Sequence, residues 1–217
     1  MGTETLGSFF KDGGAIMYVI AFASSVALAI VLDRFYYIYL HYSVNARRFM
    51  KKVQDFVAKG QFEQAVKVCD GSKNAALSQV IKAGLQRANR SNDRAMQNAV
   101  DETALELLPK LTQRTNLLQI IANIATLLGL LGTIFGIIIA FKAVAEVDPS
   151  MKQQVLTRGI AVALYTTAFG LMVAIPSLVC HALVESSTIR IIDEIDEYSV
   201  KLINQINSQR KTAKKPA

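Results

Sequence analysis

The chain has 217 residues, 52% of them hydrophobic and 19% charged, with a formal net charge of +7. The apolar residues are clustered, which marks a polytopic membrane protein rather than a large soluble core. The cations are not patterned as a nucleic-acid surface, and the two cysteines, Cys69 and Cys180, form no metal spacing and no expected disulfide.

Three stretches, 13–32, 117–141 and 159–184, contain no acidic residue, lysine or arginine. Each reaches the ~20 residues a helix needs to cross a bilayer. No run alternates with period two for long enough to make a strand. The expected fold is therefore all-α, a polytopic membrane protein with three transmembrane helices extended into long cytoplasmic helices.

In chain order, residues 1–14 form an N-terminal segment. Leu6, Phe9 and Phe10 beside Lys11 and Asp12 fit either a short amphipathic helix on the membrane surface or a frayed end. The segment lacks a signal-peptide pattern, so the first span, 15–40, is expected to stay. That span ends at Asp33 and Arg34, read as an interfacial ion pair. Tyr36, Tyr37, Tyr39 and Tyr42 follow, suited to the headgroup level.

Region 41–115 reads as helical. Phe49, Val53, Phe56 and Val57 share one face, and Lys59-Gly60-Gln61 interrupts them. Phe62, Ala65, Val66 and Cys69 make a short helix stopped at Asp70-Gly71-Ser72. A third helix covers about 75–88, and 89–93 is a polar break. Helix resumes at Arg94 and runs into the second span, 116–142, without a strong stop; Pro109 is expected to bend it. In the link 143–157, Asp148-Pro149 reads as the start of the next helix. The third span, 158–184, contains Pro176, which frees the carbonyl of Met172 and predicts a kink. Residues 185–217 continue as a helix striped by Ile192, Ile195, Leu202 and Ile206. They end in a basic tail, Arg210, Lys211, Lys214 and Lys215, that fits lipid headgroups rather than nucleic acid.

Charge sets the expected orientation. Thirteen Lys or Arg lie in 41–116 against seven Asp or Glu, and six more follow Val184. The positive-inside rule then places 41–115 and the C-terminus in the cytoplasm, and the N-terminus and 143–157 outside.

Small and polar residues fall on one side of two spans. On the second they are Gln119, Asn123, Thr126 and Thr133, with Gly129, Gly132 and Gly136 close by. On the third they are Ala163, Thr167, Gly170, Ala174, Ser177 and His181. Two readings fit. Gly132-x-x-x-Gly136 and its neighbours pack helices within one subunit, or the hydroxyls line a lumen filled by a helix of another protein. No nucleophile-and-base set and no phosphate-binding glycine loop is present, so an enzyme is not expected, nor a cofactor or metal. Any proton carrier in the membrane would come from a second protein.

Residues 127–136, LLGLLGTIFG, and 159–176, GIAVALYTTAFGLMVAIP, resemble the signatures of the MotA/TolQ/ExbB proton-channel family. Three spans and this length are similar to its ExbB/TolQ branch. The resemblance implies a homo-pentamer in the bacterial inner membrane around the helices of an ExbD/TolR-like single-span protein. That partner, in two copies, carries one membrane aspartate as proton carrier, and a TonB/TolA-like protein is a further expected partner. The implied function is a proton-driven motor working on the cell envelope; a passive scaffold anchoring the partner is the alternative, and a solute transporter fits poorly. Thr133 and Thr167 match the threonines that face the family's proton path, and Thr166, Thr126 and Asn123 join them as pathway candidates. Gly129, Gly132, Gly136, Ala163, Gly170 and Ala174 are the packing candidates. The chain departs from ExbB at Val162, where Glu is common, and at Thr126, where Pro is common. A mechanism needing a carboxylate from this subunit is therefore not expected.

Overall fold

The computed structural model describes residues 14–88 and 93–213. The expectations for the N-terminal segment, for most of the polar break at 89–93 and for the end of the basic tail lie outside these residues. The described elements are α1 (Ala15–Phe35), a π-helical segment (Tyr36–Tyr42), α2 (Ala46–Ala58), α3 (Phe62–Asp70), α4 (Ala76–Ala88), α5 (Asp93–Thr112), α6 (Thr115–Glu146) and α7 (Lys152–Ala213). Three helical runs, Ala15–Tyr39, Arg94–Glu146 and Lys152–Arg210, are long and apolar enough to cross a membrane. The chain divides into two compact units, Met1–Asp33 with Arg114–Leu183, and Arg34–Gln113 with Val184–Ala217.

The first unit holds the apolar stretches. Its interior is made of small side chains. Ala122 and Ala125 of α6 and Val173 and Ala174 of α7 enclose Ile20 of α1, with Ile16, Leu128 and Phe169 around them. Its large apolar residues point outward: Phe22, Leu127, Ile139, Phe141, Leu164 and Met172 are all more than 60% exposed. In water such a surface would drive aggregation; in lipid it is the solvated face.

The second unit is built the opposite way. Val53 and Val57 of α2, Ala65 and Cys69 of α3, Leu77, Ile81 and Leu85 of α4, Val100 and Leu111 of α5, and Ile195, Leu202 and Ile206 of α7 form one buried cluster. Each large side chain removed from water there contributes about 1.5–3 kcal/mol. α2 stops in a Schellman turn. Gly60 takes φ +74°, its N–H donates to Val57 O at 2.9 Å, and that of Gln61 donates to Phe56 O at 2.9 Å. At Gly84 a side chain would stand 2.8 Å from Cγ2 of Val100, so the glycine lets α4 and α5 approach closely.

Three local details differ from the sequence reading. The helix expected to run on from Arg94 into the second span is interrupted at Gln113–Arg114, between α5 and α6, while Pro109 sits inside α5. Arg114 has φ 64°, the only positive φ of a non-glycine residue among the described residues. Its guanidinium donates to Asp33 Oδ2 at 3.3 Å, while Arg34 donates to the carbonyl of Lys110 at 3.4 Å and lies over the Tyr37 ring. Asp33 and Arg34 thus hold separate partners; adjacent residues on a helix do not face each other. α7 starts at Lys152 rather than at Pro149, because Asp148 O accepts from the Met151 N–H at 2.9 Å in a preceding turn. The π-helical segment after α1 carried no clear sequence signal beyond its aromatic density.

Candidate functional site

The site lies within the first unit, along the seam between α6 and α7. Glycines set its width. A Cβ built on Gly129 would stand 3.2 Å from Cα of Thr167, and one on Gly136 would stand 2.8 Å from Cβ of Ala163. On Gly170 it would meet the Ala125 carbonyl oxygen at 2.7 Å, and on Gly132 it would overlap the side chain of Thr166. Gly159 is pressed against Ala140 in the same way. Dispersion contacts between backbones drive such pairing in lipid, where apolar burial gives no preference. The predicted packing residues Gly129, Gly132, Gly136, Ala163 and Gly170 therefore meet between the two helices. Ala174 instead joins the cluster around Ile20. Gly159 and Ala140 were not singled out in the sequence, although Gly159 opens the third apolar stretch. Pro176 is exposed within the unbroken α7.

The threonines divide by environment. Thr166 is 1% exposed, and its Oγ1 donates to Ala163 O at 2.8 Å. Thr167 donates across the seam to Gly129 O at 2.9 Å, joining α7 to α6. Thr133, half-buried, donates to Leu130 O at 2.6 Å, and Thr126, exposed, donates to Ala122 O at 3.0 Å. In this arrangement all four hydroxyl protons are spent on backbone carbonyls. What remains is lone pairs, which accept from water or from a protonated acid. To solvate a carboxylate, a hydroxyl must rotate and give up its carbonyl.

Asn123 is also exposed on α6 and makes no hydrogen bond among the described residues. A bare Asn123 amide on an apolar helix is costly against lipid, by about 1–3 kcal/mol for an unmet polar group, and the Thr126 hydroxyl one turn on, satisfied by Ala122 O, keeps its lone pairs on the same side. They mark a face that meets protein or water.

Charge is confined to the edge of this unit. The Asp33–Arg114 pair is 29% and 53% exposed, so it contributes no more than about 1 kcal/mol. His181 is buried near the unit's C-terminal limit. Among the described residues no cluster of three His, Cys, Asp or Glu could hold a metal ion.

Three helices with long apolar stretches, two of them paired on glycines along stretches free of carboxylates (117–141 and 159–184), define a multi-pass membrane protein whose spans are built for close helix contact. Residues 72–197, more than half the chain, match the MotA/TolQ/ExbB proton channel family. The chain belongs to that family, whose members are proton channels and transport proteins rather than enzymes. It is 28% identical over 208 residues to a biopolymer transport protein ExbB homolog of Methanothermobacter thermautotrophicus, covering 94% of this chain and 70% of the relative. It is 50% identical over 62 residues to biopolymer transport protein exbB1 of Vibrio cholerae, covering 29% of this chain and 27% of the relative. A third relative, the biopolymer transport protein ExbB-like 1 of a Synechocystis strain, is 28% identical over 178 residues, covering 81% of this chain and 69% of the relative.

Proposed function

We propose that this chain is the ExbB/TolQ-like stator subunit of a proton-driven motor in the inner membrane, converting proton motive force into mechanical work on the cell envelope. Five copies surround two helices of an ExbD/TolR-like partner that brings the membrane aspartate. A TonB/TolA-like protein carries the motion onward. Region 41–115 and the C-terminus are cytoplasmic; the N-terminus and 143–157 lie outside.

The observation that supports this most is the mismatch on α6. Asn123 and Thr126 stand on an exposed face of the stretch 117–141, which has no acidic or basic residue of its own. That face wants a polar guest, and only a second polypeptide can supply a titratable one. An ionised carboxylate in mid-membrane costs ~2.5–3.5 kcal/mol on insertion scales. Thr133 and Thr167 lower that cost if their hydroxyls swing from Leu130 and Gly129 toward it. Once protonated, the acid becomes a donor, and the same oxygens accept from it without rotating. The two protonation states thus prefer different hydroxyl orientations, which ties proton uptake to partner position. One charge crossing ~100 mV releases ~2.3 kcal/mol, so a useful stroke takes several protons.

The test is driven envelope work in cells carrying Thr133→Val or Thr167→Val, scored beside assembly of the purified complex. The motor reading expects assembled, inactive complexes. Wild-type work in both variants would leave a passive scaffold.

A further inference from the structure

The second unit carries a groove that the motor reading does not use. It has a volume of about 650 Å³ and lies between the first turns of α2, the end of α3 and the turn at Gly71 and Ser72. Its rim bears Arg48, Lys51, Lys52 and Lys67, against one acid, Asp55. All four cations are exposed, and none makes an ion pair among the described residues. This contrasts with Lys82, which is paired to Asp70 at 2.7 Å, and Lys201, which is paired to Glu197. The floor is apolar: Val44, Phe49 and Val68. Phe49 is 6% exposed, so the floor is backed by the packed core.

Unpaired cations above an apolar floor suit an anion with a greasy root. The groove's position narrows the choice. The first helix able to cross a membrane ends at Tyr39 and the groove begins at Val44 and Asn45. Six residues span at most about 20 Å when fully extended, so the groove's first residues lie within that distance of the end of the helix. Lys and Arg there each gain about 1 kcal/mol from anionic lipid, or about fivefold in affinity. From the charge and the position we infer that this groove holds the headgroup of an anionic phospholipid, with Val44 and Val68 against its glycerol and upper acyl carbons. The lipid ties α2 and α3, which belong to the second unit, to the membrane surface. The inference goes beyond the motor reading and does not need it.

The full chain is reconstituted in nanodiscs holding equal phosphatidylglycerol and phosphatidylcholine, and the lipid kept after mild extraction is counted by native mass spectrometry. Wild type should retain phosphatidylglycerol at least tenfold over phosphatidylcholine. The Arg48→Gln, Lys51→Gln, Lys52→Gln, Lys67→Gln variant should lose that preference. A control with the same net charge, Lys59→Gln, Arg87→Gln, Arg94→Gln, Lys110→Gln, should keep it. Circular dichroism checks that both variants are folded, and the single exposed change Lys67→Gln gives a partial loss of about fivefold if the quadruple variant unfolds. Equal loss in variant and control would overturn the site in favour of diffuse charge attraction. Unchanged retention in the groove variant would overturn it outright. So would displacement of the lipid by millimolar tripolyphosphate or polyglutamate, which would assign the groove to a soluble anion or an acidic protein.

Discussion

The two units solve the same packing problem with opposite materials. Between α6 and α7 of the first unit the contacts are glycine on threonine and alanine, and the leucines and phenylalanines stand outside. In the second unit the leucines, isoleucines and valines are inside, and cations cover the outside of α2. The difference is one of solvent. Water rewards hiding large apolar side chains, whereas lipid is indifferent to them and leaves close backbone approach as the source of cohesion.

This contrast can be broken from either side. The largest effect is expected from Gly170→Leu, whose side chain has the Ala125 carbonyl 2.7 Å from its first carbon. The seam cannot open locally, so no stably folded protein should be recovered from detergent extracts; normal yield and melting would refute the seam. Next comes Leu77→Ala in the second unit, where a 2% exposed side chain leaves a cavity. It should cost about 2–5 kcal/mol by denaturant titration. Its mirror, Leu164→Ala in the first unit, removes a side chain that is 62% exposed and should change stability of the isolated chain by less than about 0.5 kcal/mol. Equal costs for the two leucines would erase the contrast.

Two smaller effects sharpen the account of the second unit. Burial pushes the Cys69 thiol from 9.0 up to about 11. It should resist alkylation at neutral pH until the protein is unfolded. Because the folded state disfavours the thiolate, stability should fall as pH rises from 9 toward 11, and Cys69→Ser should flatten that slope. Asp70 is held below its ordinary value of 3.8, first by the hydrogen bond from Lys82. Its contribution is present above 3.8 and is lost as pH falls beneath it, so Asp70→Asn should matter least, and only above that pH.

Much of this was legible in the residues. Charge-free runs long enough for a bilayer gave the three helices, and Gly129, Gly132 and Gly136 at spacings of three and four, with Thr167, Gly170 and Ala174 spaced likewise on the next span, marked close approach. What was not legible has physical reasons. Periodicity put Thr167 on the small-residue face and left Thr166 off it, but it could not report that Thr166 is sealed under Gly132 while Thr167 is bonded across to Gly129, because both are contacts between helices. The break at Arg114 was hidden because arginine rarely adopts a left-handed φ, and proline is the stronger local signal. The pairing of Asp33 with Arg114 is a contact between residues 81 apart, which local pattern cannot report.

The central claim is that this subunit furnishes hydroxyls and the titratable acid arrives on another chain. It is tested most directly by proton flux into liposomes containing the purified chain alone, under an imposed membrane potential of about 100 mV. The account predicts flux equal to that of empty liposomes, rising only when a single-span, aspartate-bearing partner is co-reconstituted. A potential-driven proton flux from the lone chain as large as that of the complex would contradict it.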